Sequence, residues 1–229
     1  MKNKNEKGFA LILSLVLLLV MSLMGGALIV ISAGDHKSNN SSDDYQQTFY
    51  VAETGLIQGE MYILNQFQGP YDTKTHKRDL TKKNLATNQA KIYDGSMTKV
   101  NYGNKAPYNS YNPNANKGCY NSFNSFDRND LKVVVAESWS FGKLLYDSGI
   151  NTANEKKIKK EKDKLDNFYF EYFVTRVGAA PFRGSGVSIK KKAKDSASNG
   201  MAYRVYSCGI NTANPAMIVS LESLVILPK

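Results

Sequence analysis

Few side chains in this chain of 229 residues are of the types, or at the spacings, that covalent or acid–base chemistry requires. Cys119 and Cys208 are its only two cysteines. A single distant pair excludes a disulfide-rich miniprotein and any multi-cysteine zinc or iron–sulfur site. By themselves the two residues can form one bridge or remain two buried thiols. His36 and His76, the only imidazoles, stand in polar surroundings without helical pairing, so no histidine-based metal or catalytic centre is expected. Ser185 lies in Arg183-Gly184-Ser185-Gly186, which has some likeness to a nucleophile elbow but lacks the Gly-x-Ser-x-Gly spacing. It reads as part of a flexible turn. With no partner motif near either histidine, the sequence predicts no enzyme, no metal and no cofactor.

The charged residues suggest binding before catalysis. There are 30 Lys and Arg against 20 Asp and Glu, a formal charge of +10. Two lysine clusters stand out: six lysines against three acids from Glu155 to Lys164, and then Lys190, Lys191, Lys192 and Lys194. Such runs are usually solvated loops. The functional alternative is phosphate contact, with DNA or a lipid surface, although no nucleic-acid motif accompanies them. The hexapeptide Gly-Ile-Asn-Thr-Ala-Asn at 149–154 returns at 209–214 in a different context and reads as two similar turns.

What positions all of these is set first by an apolar segment. From Phe9 to Ala33, 25 residues pass without a charge. As a helix rising ~1.5 Å per residue they span ~37 Å, more than the ~30 Å hydrocarbon core of a bilayer. A secretory signal has an apolar region of about 7–15 residues, so this one is too long to be read as a signal, even though Ile31-Ser32-Ala33 offers small residues to a peptidase. Lys2, Lys4 and Lys7 precede the segment with Glu6 as the only acid among them. The N-terminus is therefore expected in the cytoplasm, and everything after Asp35 in the periplasm or outside. In that oxidising compartment Cys119 and Cys208 are expected to pair, against the alternative of two free thiols. The bridge would close a loop of roughly 90 residues, worth ~4–5 kcal/mol in the chain-entropy picture.

At Lys7-Gly8-Phe9 a short basic leader meets a glycine, a phenylalanine and an unbroken apolar helix. Farther on, Gln46-Gln47-Thr48-Phe49-Tyr50-Val51-Ala52-Glu53-Thr54-Gly55-Leu56 alternates small, acidic and apolar residues. Together these resemble type IV prepilins, and more narrowly PilX-type minor pilins, over residues 7–60 or so, about a quarter of the chain. The resemblance implies that a prepilin peptidase cuts between Gly8 and Phe9 and methylates the new amine of Phe9. It implies a helix that serves first in the inner membrane and later in a filament core, beside other minor and major pilins. Major pilins carry a glutamate at the fifth mature position, where this chain has Leu13, and no other acid occurs in the segment. A carboxylate in lipid is costly and is held by a partner, in pilins the terminal amine of a neighbouring subunit. Its absence is familiar in subunits at a filament tip and implies a minor component. Glu53 is a candidate for pairing across subunits, against the plainer reading of a solvated acid on a helix face.

The rest of the chain reads locally. Gly34 to Asn40 is poor in helix formers and predicts loosening, with a new helix start at Ser41, where Ser41 and Asp44 have capping-box spacing. Tyr45, Phe49, Ala52, Leu56, Gly59 and Ile63 form an apolar stripe for packing on a sheet, and the helix ends before Gly69-Pro70. Residues 70–130, rich in Asn, Lys, Tyr and Gly, predict a partly ordered surface region, with Pro107, Pro113 and the aromatics from Tyr102 to Phe126. Strands are predicted over Lys132–Phe141, with Val133, Val135, Trp139 and Phe141 on one face, and over Phe168–Val177, with aromatics on both faces. Tyr203–Ser207 is a third. Met217–Leu227 is a fourth, with Met217, Val219, Leu221, Val225 and Leu227 pointing one way and Ser220 and Glu222 the other. The result is an α+β fold, a long N-terminal helix packed on an antiparallel meander, as in pilins. Its divisions are a leader at 1–8, a membrane and filament-core helix at 9–33, an amphipathic continuation at 34–69 and a globular domain at 70–229.

The leading expectation is a minor pilin that helps to initiate a type IV pilus at or near its tip, with a role in adhesion or motility. Its partners would be other pilins, the prepilin peptidase, membrane lipid and a surface ligand. The alternatives are a minor pseudopilin of type II secretion and a single-pass anchored binding protein that holds DNA through its lysine loops.

Overall fold

The computed structural model describes residues 6–101, 115, 117–147, 162–182, 198–213 and 217–228. The chain divides into two units, Met1–Tyr45 and Gln46–Lys229. One helix, α1 (Glu6–Gln68), contributes to both.

In the first unit α1 is helical through residues 34–44, where the sequence predicts loosening and a fresh start at Ser41. This corrects that expectation. Gly, Asp, Asn and Ser each cost roughly 0.5–1 kcal/mol relative to alanine inside a helix. A break, however, would leave unpaired backbone groups on both sides of it and require a second nucleus. Carrying a helix through a poor stretch is the cheaper course.

In the second unit α1 ends where expected. Gly69 takes a left-handed backbone (φ 90°) before Pro70, and Arg78 Nη1 donates to Gly69 O and Asn65 Oδ1, each at 2.9 Å. A cation at the C-terminal end also suits the helix dipole. Arg78 belongs to a short hairpin of β1 (Tyr71–Asp72) and β2 (Lys77–Arg78), followed by a single 3₁₀ turn at Leu80–Lys82.

The main sheet has five strands in the order β3 (Lys99–Asn101), β4 (Val135–Ser140), β5 (Phe168–Phe182), β6 (Ser198–Asn211), β7 (Met217–Pro228). The last four form the predicted antiparallel meander, and β3 adds a parallel edge to β4. The described elements also include two short helices, α2 (Gly118–Ser122) and α3 (Phe141–Asp147). Phe141 therefore opens a helix and does not extend the strand, which corrects the sequence reading. Ser140 Oγ accepts the Lys143 N–H at 3.4 Å, and such a cap turns the chain out of the strand.

Both faces of the sheet are covered. On one, Phe168, Phe170, Tyr172 and Val174 of β5 and Tyr203 and Val205 of β6 meet Val51 and Ile63 of α1. On the other, Tyr169, Phe173, Tyr206 and Ile210 meet Tyr93, Met97, Tyr120 and Phe123. Phe173 and Tyr206 stack at 4.8 Å, with Phe123 edge-on to Tyr206 at 5.0 Å. Residues 70–130 are thus only in part the predicted surface region, since Tyr93, Met97, Tyr120 and Phe123 are core. Residues 102–114, with Pro107 and Pro113, lie outside the described part. Cys119 and Cys208 are bonded, with Cα atoms 5.6 Å apart and neither residue exposed, and so fasten α2 to β6 beneath this second core.

The predicted stripe on α1 holds at Ala52, Gly59 and Ile63 and needs correction at its other positions. The buried residues are Thr48, Val51, Ala52, Gly55, Gly59 and Ile63, whereas Tyr45 and Phe49 are exposed and Leu56 is half-buried. The cause is closeness. A Cβ on Gly59 would lie 2.5 Å from Val205 Cγ1, and one on Gly55 would strike Ser207 Oγ and Phe170. Ser207 Oγ also donates to the Ala52 carbonyl at 2.7 Å. So intimate a contact selects small residues on the helix and leaves the large ones outside.

Candidate functional site: the N-terminal helix

Gly8 and Phe9 lie in α1 near its start. From Leu11 to Ala33 the first unit offers an uncharged, largely apolar surface on every side, and Leu13 is 58% exposed. Two of the three serines within the apolar run turn inward: Ser14 Oγ and Ser22 Oγ donate to the carbonyls of Leu11 and Leu19 at 2.9 and 2.8 Å. That removes two polar groups from whatever surrounds the helix, as a hydrocarbon solvent demands. This helix is long and apolar enough to cross a membrane.

In the second unit, the face of α1 turned away from the sheet carries a feature that the sequence reading missed. Tyr50, Ile57 and Met61 are 62%, 51% and 41% exposed. At 100° per residue they cluster within ~40° of one another, about half a turn from the buried stripe. Spacings of seven and four among apolar residues were the available signal, hidden by a stronger one beside it. Glu53 is exposed on the edge of this face, and Glu60, about two turns later, accepts from Ser223 Oγ of β7 at 2.6 Å. Glu53 belongs to the second unit, and Gly8 and Leu13 belong to the first.

Other titratable groups have structural duties. Burial first, and then the Glu137 carboxylate, push the Tyr172 phenol up, and burial with Glu171 does the same to Tyr93. Glu137 accepts from Trp139 Nε1 at 2.8 Å and pairs with Lys99 at 3.7 Å, while Lys99 Nζ lies 5.2 Å from the centre of the Trp139 ring. These contacts hold the three residues of β3 to β4. Around the hairpin, Pro70, Tyr71, Thr75, Lys77 and Arg78 line a shallow cleft with Asp72, Asp79 and Lys82. Its acids are held below the usual carboxylate range by local bonds: Asp72 by the Lys74 N–H and Thr75, Asp79 by Thr81 and Lys82. Among the described residues there is no group of three His, Cys, Asp or Glu side chains that could hold a metal ion. Ser185, most of the first lysine cluster and all of the second lie outside the described residues; Lys162 and Lys164 sit on a helical turn.

No curated protein and no solved structure matches the chain. Residues 7–56 do match the model of a family, described as PilX N-terminal. The matched segment takes in the Gly8–Phe9 junction, the exposed apolar helix and the start of the buried stripe through Gly55. The first quarter of the chain is thus matched to the PilX N-terminal family, and a type IV pilin role, in that general form, is what the match supports.

Proposed function

We propose that this chain is a minor pilin: held in the inner membrane by residues 9–33, cut between Gly8 and Phe9, methylated on Phe9, and inserted at or near the tip of a type IV pilus to help start its assembly. Its work is association and not catalysis. The observation that carries the reading is the uncharged, fully exposed helix surface from Leu11 to Ala33, within a region matched to the PilX N-terminal family. Such a surface is equally suited to lipid and to the flanks of other apolar helices. Leu13 supports a terminal place, because it leaves no carboxylate to receive the amine of a subunit stacked beyond it. Tyr50, Ile57 and Met61 give the second unit an apolar contact face of its own, with Glu53 at its margin. A contribution to adhesion or motility would follow from exposure of the second unit at the tip.

The test is the N-terminal mass of the full-length protein made with and without a prepilin peptidase. Methyl-Phe9 at the terminus only with the peptidase, and lost on Gly8→Ala substitution, is the expected result. An intact Met1 in both cases would leave an anchored domain without a filament, and a terminus at Gly34 would make the segment a cleaved signal.

A further inference from the structure

Strand β7 closes one side of the main sheet, and its outer side pairs with no strand among the described residues. It is 12 residues long and matched to β6 residue for residue, from Asn211↔Met217 to Gly200↔Pro228, without a bulge. Alternate backbone N–H and C=O groups therefore line a straight outer edge. Folds guard such edges with short strands, lysines, prolines or bulges. The opposite edge has that protection: β3 is three residues long and begins at Lys99. Strand β7 has it only at its last residue, Pro228. From Met217 to Leu227 there is no lysine, arginine, glycine or proline. Its only acid, Glu222, is engaged across the sheet face by Arg204 at 3.1 Å and Ser125 at 2.9 Å, and Leu224 is 55% exposed.

We propose that β7 is a docking edge that accepts an extended segment of a different protein as a sixth strand. Hydrogen bonding selects the form of the partner, because only an extended backbone presents donors and acceptors in step with the edge. The neighbouring side chains select its sequence. On the helix side an added strand lies beside Leu221 and Val225, which calls for apolar residues at alternate positions. On the other side it meets Ser220, Glu222 and Leu224, where hydroxyls and a base near Glu222 fit. A second copy fits poorly. Antiparallel pairing of two β7 edges sets the two Gln46–Gln68 helices in opposite directions, whereas subunits drawn from one membrane run the same way. That exclusion, and nothing else here, rests on the filament reading.

The test uses the full-length protein in lipid nanodiscs and a synthetic 12-residue peptide alternating valine with threonine, a lysine replacing one central threonine. Two further peptides carry N-methyl groups on one or the other set of alternate amides. The expected result is at least tenfold slower hydrogen exchange at alternate β7 amides with the plain peptide. One methylated peptide should bind as the plain one does and the other at least tenfold more weakly. Leu224→Lys should weaken binding by a similar factor without moving the unfolding midpoint. Equal binding of the two methylated peptides, or no protection in β7, overturns the proposal. So does a dimer of the protein alone with the outer β7 amides already protected, since a second copy would then own the edge. A chain that binds the peptide yet keeps Met1 in the presence of the peptidase would remove the filament reading and leave the docking edge standing.

Discussion

Gly209 offers the sharpest test of how α1 and the sheet fit together. Its backbone is extended and not left-handed, so alanine can take the same conformation, and the only objection is space. An added Cβ would lie 2.7 Å from the Ala52 nitrogen and nearer still to the Thr48 carbonyl oxygen. Carbon approaches such oxygens to about 3.3–3.6 Å, so α1 must retreat by roughly 1 Å. Both obstacles are helix backbone, and no rotamer relieves them. The retreat stretches the Ser207–Ala52 hydrogen bond from 2.7 Å out of useful range, a loss of about 1 kcal/mol. It also weakens the contacts of Gly55 and Gly59 with Phe170, Tyr172 and Val205 by a quarter to a half. With overpacking alone worth ~1–3 kcal/mol, Gly209→Ala should destabilise the second unit by ~2–4 kcal/mol. Guanidinium unfolding of the full chain in nanodiscs, disulfide intact, would read this as a midpoint lowered by about 0.5–1 M. Gly34→Ala is the control, because its new Cβ meets nothing within 4 Å. A Gly209→Ala variant as stable as this control would refute the close-contact account of the small-residue stripe.

Three further outcomes follow. Replacing Cys119 and Cys208 together by alanine opens a loop with a sequence separation of 89 and should cost ~4–5 kcal/mol in the chain-entropy model, measured as the difference between oxidised wild type and the double variant. Asp79 is held below its ordinary value of 3.8, first by the Thr81 hydroxyl and then by Lys82. A depressed carboxylate stabilises the fold fully above its unfolded pKa and loses that contribution as pH falls through the lower folded value. An NMR titration should therefore place the Asp79 midpoint below 3.8, and Thr81→Ala should raise it; an unmoved midpoint would be the contrary result. Leu13→Glu supplies the acid that major pilins carry, and should spread the protein from filament ends along the shaft in immunogold images if the tip reading holds.

The sequence disclosed what periodicity and solvent preference dictate. An uncharged run of this length can be little other than a helix for an apolar medium, and four strands announced themselves by alternation, down to the two-sided aromatic burial of Phe168 to Val174. What it hid depended on distance. The predicted stripe caught Ala52, Gly59 and Ile63 but also took in Tyr45, Phe49 and Leu56, whereas contact at backbone range chose Thr48, Val51 and Gly55, of which the threonine and the glycine carry little hydrophobic signal. Residues 34–44 looked like a break because propensities are local, while the cost of interrupting a helix falls on its neighbours. Tyr93 and Phe123 looked like surface aromatics because their partners, Phe173 and Tyr206, come from strands far along the chain. Of the candidate site, Gly8, Phe9 and Leu13 were legible as a pattern, and the outward face of Tyr50, Ile57 and Met61 was not.

The bond between Cys119 and Cys208 also changes how the molecule answers to force. In the proposed filament role the chain is pulled through its anchor and through whatever its far end holds. Tension arriving at residue 119 crosses directly to 208, and the residues between them form a slack ring that carries no load. At ~3.3–3.6 Å per residue, about 300 Å of chain is withheld from extension. Strands β4 and β5 and most of β6 lie inside that ring. Strand β7 lies outside it, so a pull on the C-terminal end peels β7 first and leaves the shielded strands without tension along their length.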